Sequence, residues 1–142
     1  MPPPANNRIF QARMKPTRQV ETRLPSSRTI SANGIELFLL EGGEGPLVVL
    51  CHGWPELSYS WRHQIKALAQ AGFHVVAPDM RRLGRTSAPA DISAYSIFDT
   101  VGDVVALVAA LGERNALIIG HDWGAPVAWR CSGSICSRQL RA

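Results

Sequence analysis

Asp122 lies in Gly120-His121-Asp122-Trp123-Gly124, a carboxylate flanked by two glycines and directly preceded by Ala116-Leu117-Ile118-Ile119. The pattern glycine, any residue, nucleophile, any residue, glycine suits a strand-to-helix turn so tight that side chains at the outer positions would clash. Such a turn pushes its central residue into solvent at a helix N-terminus, where an anion is favoured. A serine there would need a base before it could attack. An aspartate is ionised near neutrality and is a nucleophile as it stands. The chemistry open to it is displacement at a saturated carbon bearing a leaving group. That step forms an alkyl ester, which water must then hydrolyse. Gly-x-Asp-x-Gly alone is also ordinary turn composition, so the reading needs a second element. His52-Gly53-Trp54-Pro55, directly after Leu47-Val48-Val49-Leu50-Cys51, supplies one.

The elements needed to hold these groups can be read from periodicity. Ile35 to Leu40 pairs back on Thr29 to Ser31 across Asn33-Gly34, a hairpin signature. The run Leu47 to Cys51 is continuously apolar, as expected of a strand buried on both faces. Residues 60–71 place Trp61, Ile65, Leu68 and Ala69 on one helical face and end at Gly72. Residues 73–77 form a further short strand stopped by Pro78-Asp79, and 81–92 are loop-like. Residues 97–111 form a second helix closed by Gly112, and 115–120 a third buried strand leading into the Asp122 turn. Strands alternating with helices imply the α/β class with a mostly parallel sheet.

Several segments, in one order, resemble the soluble epoxide hydrolases of the α/β-hydrolase superfamily. They are Cys51-His52-Gly53-Trp54-Pro55-Glu56, Tyr59-Ser60-Trp61-Arg62-His63-Gln64-Ile65, Ala77-Pro78-Asp79-Met80-Arg81, Arg85-Thr86-Ser87-Ala88-Pro89, and 120–129 around the elbow. The resemblance implies an α/β-hydrolase core ending just after the nucleophile elbow. It makes Asp122 the nucleophile and the backbone N–H groups of Trp54 and Trp123 the oxyanion hole. His52, Gly53, Pro55, Gly120, His121 and Gly124 support that site. It also implies parts absent from these 142 residues: two cap tyrosines to protonate the epoxide oxygen, and a late histidine with its acid to activate water. The pattern departs at Arg81-Arg82-Leu83-Gly84, where the family carries Arg-Gly-Tyr-Gly, so the geometry of that loop is open. A haloalkane dehalogenase, with Trp123 cradling halide, is the alternative within the superfamily. A non-catalytic remnant or binding fragment is the alternative outside it.

After Arg130 the resemblance stops. Cys131-Ser132-Gly133-Ser134-Ile135-Cys136 and the last six residues lack an apolar period. A coding sequence read one base later can restore the family's Pro-Asp-Ser-Phe, so a frameshifted tail over 131–142 is expected, on a folded unit over 28–130. An inactive fragment is the consequence.

The remaining features narrow the class. Residues 1–28 hold six basic side chains and one acid, a net of +5 within a chain of +4, so the rest sums to −1. The basicity belongs to a Pro- and Arg-rich segment over 1–27, read as disordered, with no aromatic interleaving of the kind that binds nucleic acid. No stretch reaches the roughly 18 apolar residues of a membrane span. Cys51, Cys131 and Cys136 have neither a disulfide framework nor metal-ligand spacing, so no metal or cofactor is expected and the cytosol is the default compartment. His63 and His74 are read as surface residues, His121 as packed behind the elbow, Asp103 as solvated or capping, and Trp61 and Trp129 as core. The partner is a small epoxide or other electrophile, and no oligomeric state is legible.

Overall fold

The computed structural model describes residues 25–139, so the reading of the first 24 residues lies outside it. β1 (Ser26–Ala32) and β2 (Ile35–Gly42) form an antiparallel hairpin in which Ala32 faces Ile35. Asn33 and Gly34 turn it with φ of 51° and 76°, the two positive values a two-residue hairpin loop requires. β3 (Leu47–Cys51), β4 (His74–Pro78) and β5 (Leu117–Gly120) run parallel to one another, and the strand order is β1-β2-β4-β3-β5. β2 meets β4 antiparallel. Three α-helices cover the sheet: α1 (Arg62–Gln70), α2 (Ile97–Ala110) and α3 (Gly124–Gln139).

All five residues of β3 are buried, and their alternation divides the core. Val48 and Leu50 pack with Val75, Ala77 and Ile65 of α1 on one face. Leu47, Val49 and Cys51 pack with Leu37, Leu39, Val104, Leu107 and Val127 on the other. Period-two alternation thus feeds two helical layers from one strand, which is why its sequence is apolar throughout. α2 starts at a capping box in which Ser96 Oγ accepts from the Asp99 N–H and Asp99 reaches back to the Ser96 N–H. Such a box contributes about 1 kcal/mol.

The structure corrects several expectations. The helix expected over 60–71 opens instead with a 3₁₀ turn, Ser58–Trp61, before α1. The elbow strand is shorter than 115–120 and is not buried on both faces: Leu117 is exposed, and among the described residues β3 alone pairs with it. α3 continues to Gln139, and Cys131 is fully buried beside Val127, one helical turn before it. The stretch after Arg130 lacks proline, and its one glycine, Gly133, weakens a helix by only about 1 kcal/mol. Trp129 is two residues from both Val127 and Cys131, so the helix turns it outward, 82% exposed rather than core. Trp61 is half-buried against the α1-side cluster, with its indole N–H enclosed and unpartnered.

Candidate active site

β3 and β5 lie side by side in parallel, with Cys51 opposite Gly120, so the chains leaving their C-terminal ends emerge together. The His121 N–H donates to the Cys51 carbonyl at 3.2 Å and ties the two exits. After Gly120 the chain reverses into α3 within four residues, with Gly124 N–H donating to His121 O and Ala125 N–H to Asp122 O. Asp122 occupies the centre of this turn at φ 51°. For a non-glycine residue that left-handed conformation costs roughly 1–2 kcal/mol, and strain of this kind clusters at functional sites. The glycines on either side are required by approach. A Cβ on Gly120 would stand 2.1 Å from the Gly124 carbonyl oxygen, and one on Gly124 2.1 Å from that of Cys51.

The Asp122 carboxylate points at the loop after β3. The Trp54 N–H donates to Oδ2 at 3.0 Å. This bond, with a further contribution from the Trp123 N–H, holds the carboxyl below the usual aspartate range, against a smaller opposing effect of desolvation. Gly53 passes so close that a Cβ there would lie 2.5 Å from Asp122 Cβ. Pro55 comes next through a cis Trp54–Pro55 peptide, and Glu56 N–H donates to Gly53 O to close the turn. His52 is buried, with its Nδ1 2.9 Å from Gly53 O and its Nε2 accepting the Met80 N–H at 2.9 Å. Both ring nitrogens are therefore engaged, Nδ1–H as donor, and the imidazole braces the loop against the segment after β4.

The histidines are dispersed. His121 is 64% exposed and turned toward Glu56 at 3.7 Å, not packed behind the elbow, because Gly120 and Gly124 fill that space with backbone. His63 is exposed, and His74 sits at the start of β4, away from the strand ends that carry the site, half-buried 3.2 Å from Glu41. Among the described residues, no histidine side chain bonds the Asp122 carboxylate. Cys51 and Cys131 are buried free thiols pushed up to about 12 and about 11, chiefly by desolvation, so neither is a nucleophile.

Beside the elbow lies a cavity of about 540 Å³ walled by Trp54, Trp123, Met80, Leu83, Ile97 and Val127, with Arg82 and Tyr95 at its side. Its far wall is held by residues that the sequence left without a role. Asp79 is buried, accepting the N–H groups of Ser58 and Arg85, while its own carbonyl accepts Thr86 Oγ1–H. Asp103, expected to be solvated, is buried and paired with Arg81. Arg81 donates from Nε and Nη2 to the two Asp103 oxygens, and from Nη1 to the Ala94 carbonyl. Asn33 Nδ2 completes the set at 2.8 Å. One signal was available: Asp103 interrupts an otherwise apolar face of α2. The open question at Arg82 has an answer: it adopts φ 69°, the left-handed conformation in which glycine is unstrained.

The strand-end carboxylate, the adjacent N–H donors and the apolar cavity form one arrangement. The sequence profile of the alpha/beta hydrolase fold matches residues 46–133, more than half of the chain. The chain belongs to the α/β-hydrolase fold family. It is 50% identical over 103 residues to an epoxide hydrolase of Caballeronia sordidicola, covering 72% of this chain and 31% of that protein. It is also 50% identical over 107 residues to epoxide hydrolase A of Mycobacterium tuberculosis, covering 74% and 33%. Among solved structures it is similar to an epoxide hydrolase of Vigna radiata, at 50% identity and a TM-score of 0.73, covering 75% of this chain and 35% of that one. Epoxide hydrolase A of Mycobacterium thermoresistibile matches at 53% identity and a TM-score of 0.74, over 76% and 34%. The chain spans about a third of the length of these relatives. Among the described residues no helix is long and apolar enough to cross a membrane.

Proposed function

We propose that this α/β-hydrolase chain carries the nucleophilic part of an epoxide hydrolase, with Asp122 opening the ring. The observation that carries this reading is the Asp122 carboxylate held at the elbow by the Trp54 N–H at 3.0 Å, next to an apolar cavity. Oδ2 is engaged, which leaves Oδ1 to attack a ring carbon. The new C–O bond forms as the ring C–O bond breaks, and the released alkoxide takes a proton. Oδ2 becomes the ester carbonyl oxygen. When water adds, it takes up the negative charge between the Trp54 and Trp123 N–H groups, which are already in place and need not reorganise. Water attack then releases a diol and restores Asp122.

Proton donor and hydrolytic base do not come from the groups nearest the cavity. Tyr95 borders it, but its hydroxyl donates to the Pro89 carbonyl. His52 is committed at both nitrogens. General acid–base help contributes roughly 10²–10⁴ in rate. The 142 residues by themselves are therefore expected to form the ester slowly and to keep it. Relatives named as epoxide hydrolases favour this leaving group over halide, although Trp54 and Trp123 both border the cavity and a haloalkane would present the same displacement. The buried free thiols suit a cytosolic setting.

Intact-mass measurement after incubation with styrene oxide tests the proposal. The chain should gain the mass of one epoxide, mapped to Asp122, and Asp122→Ala should gain none. A chain that stays unmodified, or an adduct that persists in Asp122→Ala, refutes the assignment.

A further inference from the structure

Arg82 borders the Asp122 cavity with a backbone, at φ 69°, in which any Cβ crowds the following carbonyl. A glycine would occupy this position without strain, yet the chain carries its longest cationic side chain there. The guanidinium stacks on the Tyr95 ring, 5.3 Å from its centroid. Among the described residues it meets no carboxylate. Its neighbour Arg81 differs, being fully engaged by Asp103 and the Ala94 carbonyl. The cavity therefore has one uncommitted cation at its side, and Met80, Leu83, Ile97 and Val127 make its wall apolar. Whatever its tilt over the Tyr95 ring, a guanidinium presents its N–H groups as a planar fork, the geometry that receives a carboxylate through two parallel bonds. Asp122 supplies the opposing sign: its anion, held by Trp54, repels a second carboxylate from the elbow.

We propose that Arg82 is a specificity-determining residue that selects ligands bearing a carboxylate and orients their hydrocarbon part along the apolar wall toward Asp122. This rests on the reading of the cavity as the substrate chamber. The charge at Arg82 and the like charge at Asp122 together disfavour the reversed pose.

The test uses two unreactive probes of one shape, hexanoate and hexanamide. Each is titrated into the 142-residue chain while the indole N–H resonances of Trp54 and Trp123 are followed. Hexanoate should bind roughly fivefold more tightly than hexanamide at low salt, as one partly exposed, charge-assisted contact allows. Raised salt should shrink that ratio. Arg82→Gly, which removes the backbone strain and so keeps the fold, should bring it to about one, and Arg82→Lys should retain part of it. Equal binding of the two probes by the unaltered chain, an unchanged preference in Arg82→Gly, or no binding of hexanoate at millimolar concentration overturns the proposal. No alkylation enters this readout, so the two failures separate. An Asp122 ester without the preference counts against Arg82 alone; the preference without an ester counts against the nucleophile reading alone.

Discussion

Asp103→Ala removes one half of an enclosed ion pair, and its cost can be worked from the contacts. The Arg81 and Asp103 side chains are 6% and 4% exposed, and the carboxylate accepts from Arg81 Nε at 2.8 Å, Arg81 Nη2 at 2.5 Å and Asn33 Nδ2 at 2.8 Å. The bond to Asp103 is also the largest reason the guanidinium is held above its ordinary range. Alanine would leave the guanidinium without its carboxylate, keeping only the Ala94 carbonyl as acceptor, and would leave Asn33 Nδ2 only the Asp99 carbonyl at 3.4 Å. Breaking such a pair from one side costs about 3–5 kcal/mol, against a net domain stability of about 5–15 kcal/mol. With a urea dependence near 2 kcal/mol per molar, the midpoint of unfolding should fall by about 2 M. Arg81→Met combined with Asp103→Leu removes both charges and fills the space with hydrocarbon. That double variant should recover most of the loss, because the desolvation of the ions disappears with their attraction. The assay is urea denaturation followed by tryptophan fluorescence at low protein concentration. A midpoint shift below about 0.5 M for Asp103→Ala, or a double variant no better than the single one, would refute the reasoning.

The elbow gives two further outcomes. Gly124→Ala sets a Cβ 2.1 Å from the Cys51 carbonyl oxygen, backbone against backbone. It should cost at least the roughly 1–3 kcal/mol of an overpacked core, and a urea midpoint equal to that of the parent chain would contradict this. The pH dependence of Asp122 alkylation should report its lowered carboxyl. The anion persists until the pH falls through that lowered value, so the rate should stay level down through the ordinary aspartate range and drop only below it. An inflection at or above the ordinary value would show that the Trp54 and Trp123 N–H groups do not hold the carboxylate.

Much of this was legible in the sequence where local chemistry and period agree. Leu47–Cys51 is a buried strand because its five residues face two helical layers. Asn33-Gly34 turns the hairpin because both residues accept positive φ. The elbow was legible because no composition other than glycine, at both outer positions, tolerates contacts near 2.1 Å. What escaped depends on partners distant in the chain. Nothing near Asp103 announces Arg81, which precedes it by 22 residues, or Asn33, 70 residues away. Trp129 was misplaced because a tryptophan suggests core, whereas its helical phase relative to Val127 and Cys131 turns it out. The stretch after Arg130 was read as non-helical because it lacks an apolar period. α3 nonetheless runs through it to Gln139, with Cys131 buried beside Val127.

The pairing of Cys51 with Gly120 has a mechanical consequence. The Asp122 carboxylate and the Trp54 N–H donor stand on two neighbouring rails, and their alignment is one coordinate, the slide of β5 along β3. That coordinate has no fine settings. A strand advances about 3.3 Å per residue, so the smallest permitted slip would carry Asp122 from 3.0 Å to beyond reach of Trp54 while turning Ile118 and Ile119 to opposite faces. Alignment is thus digital, and the notch that holds it is backbone alone. Substitutions along the cavity wall can reshape the chamber without shifting the Asp122 carboxylate, in the way a lathe keeps its centre when the tool is changed.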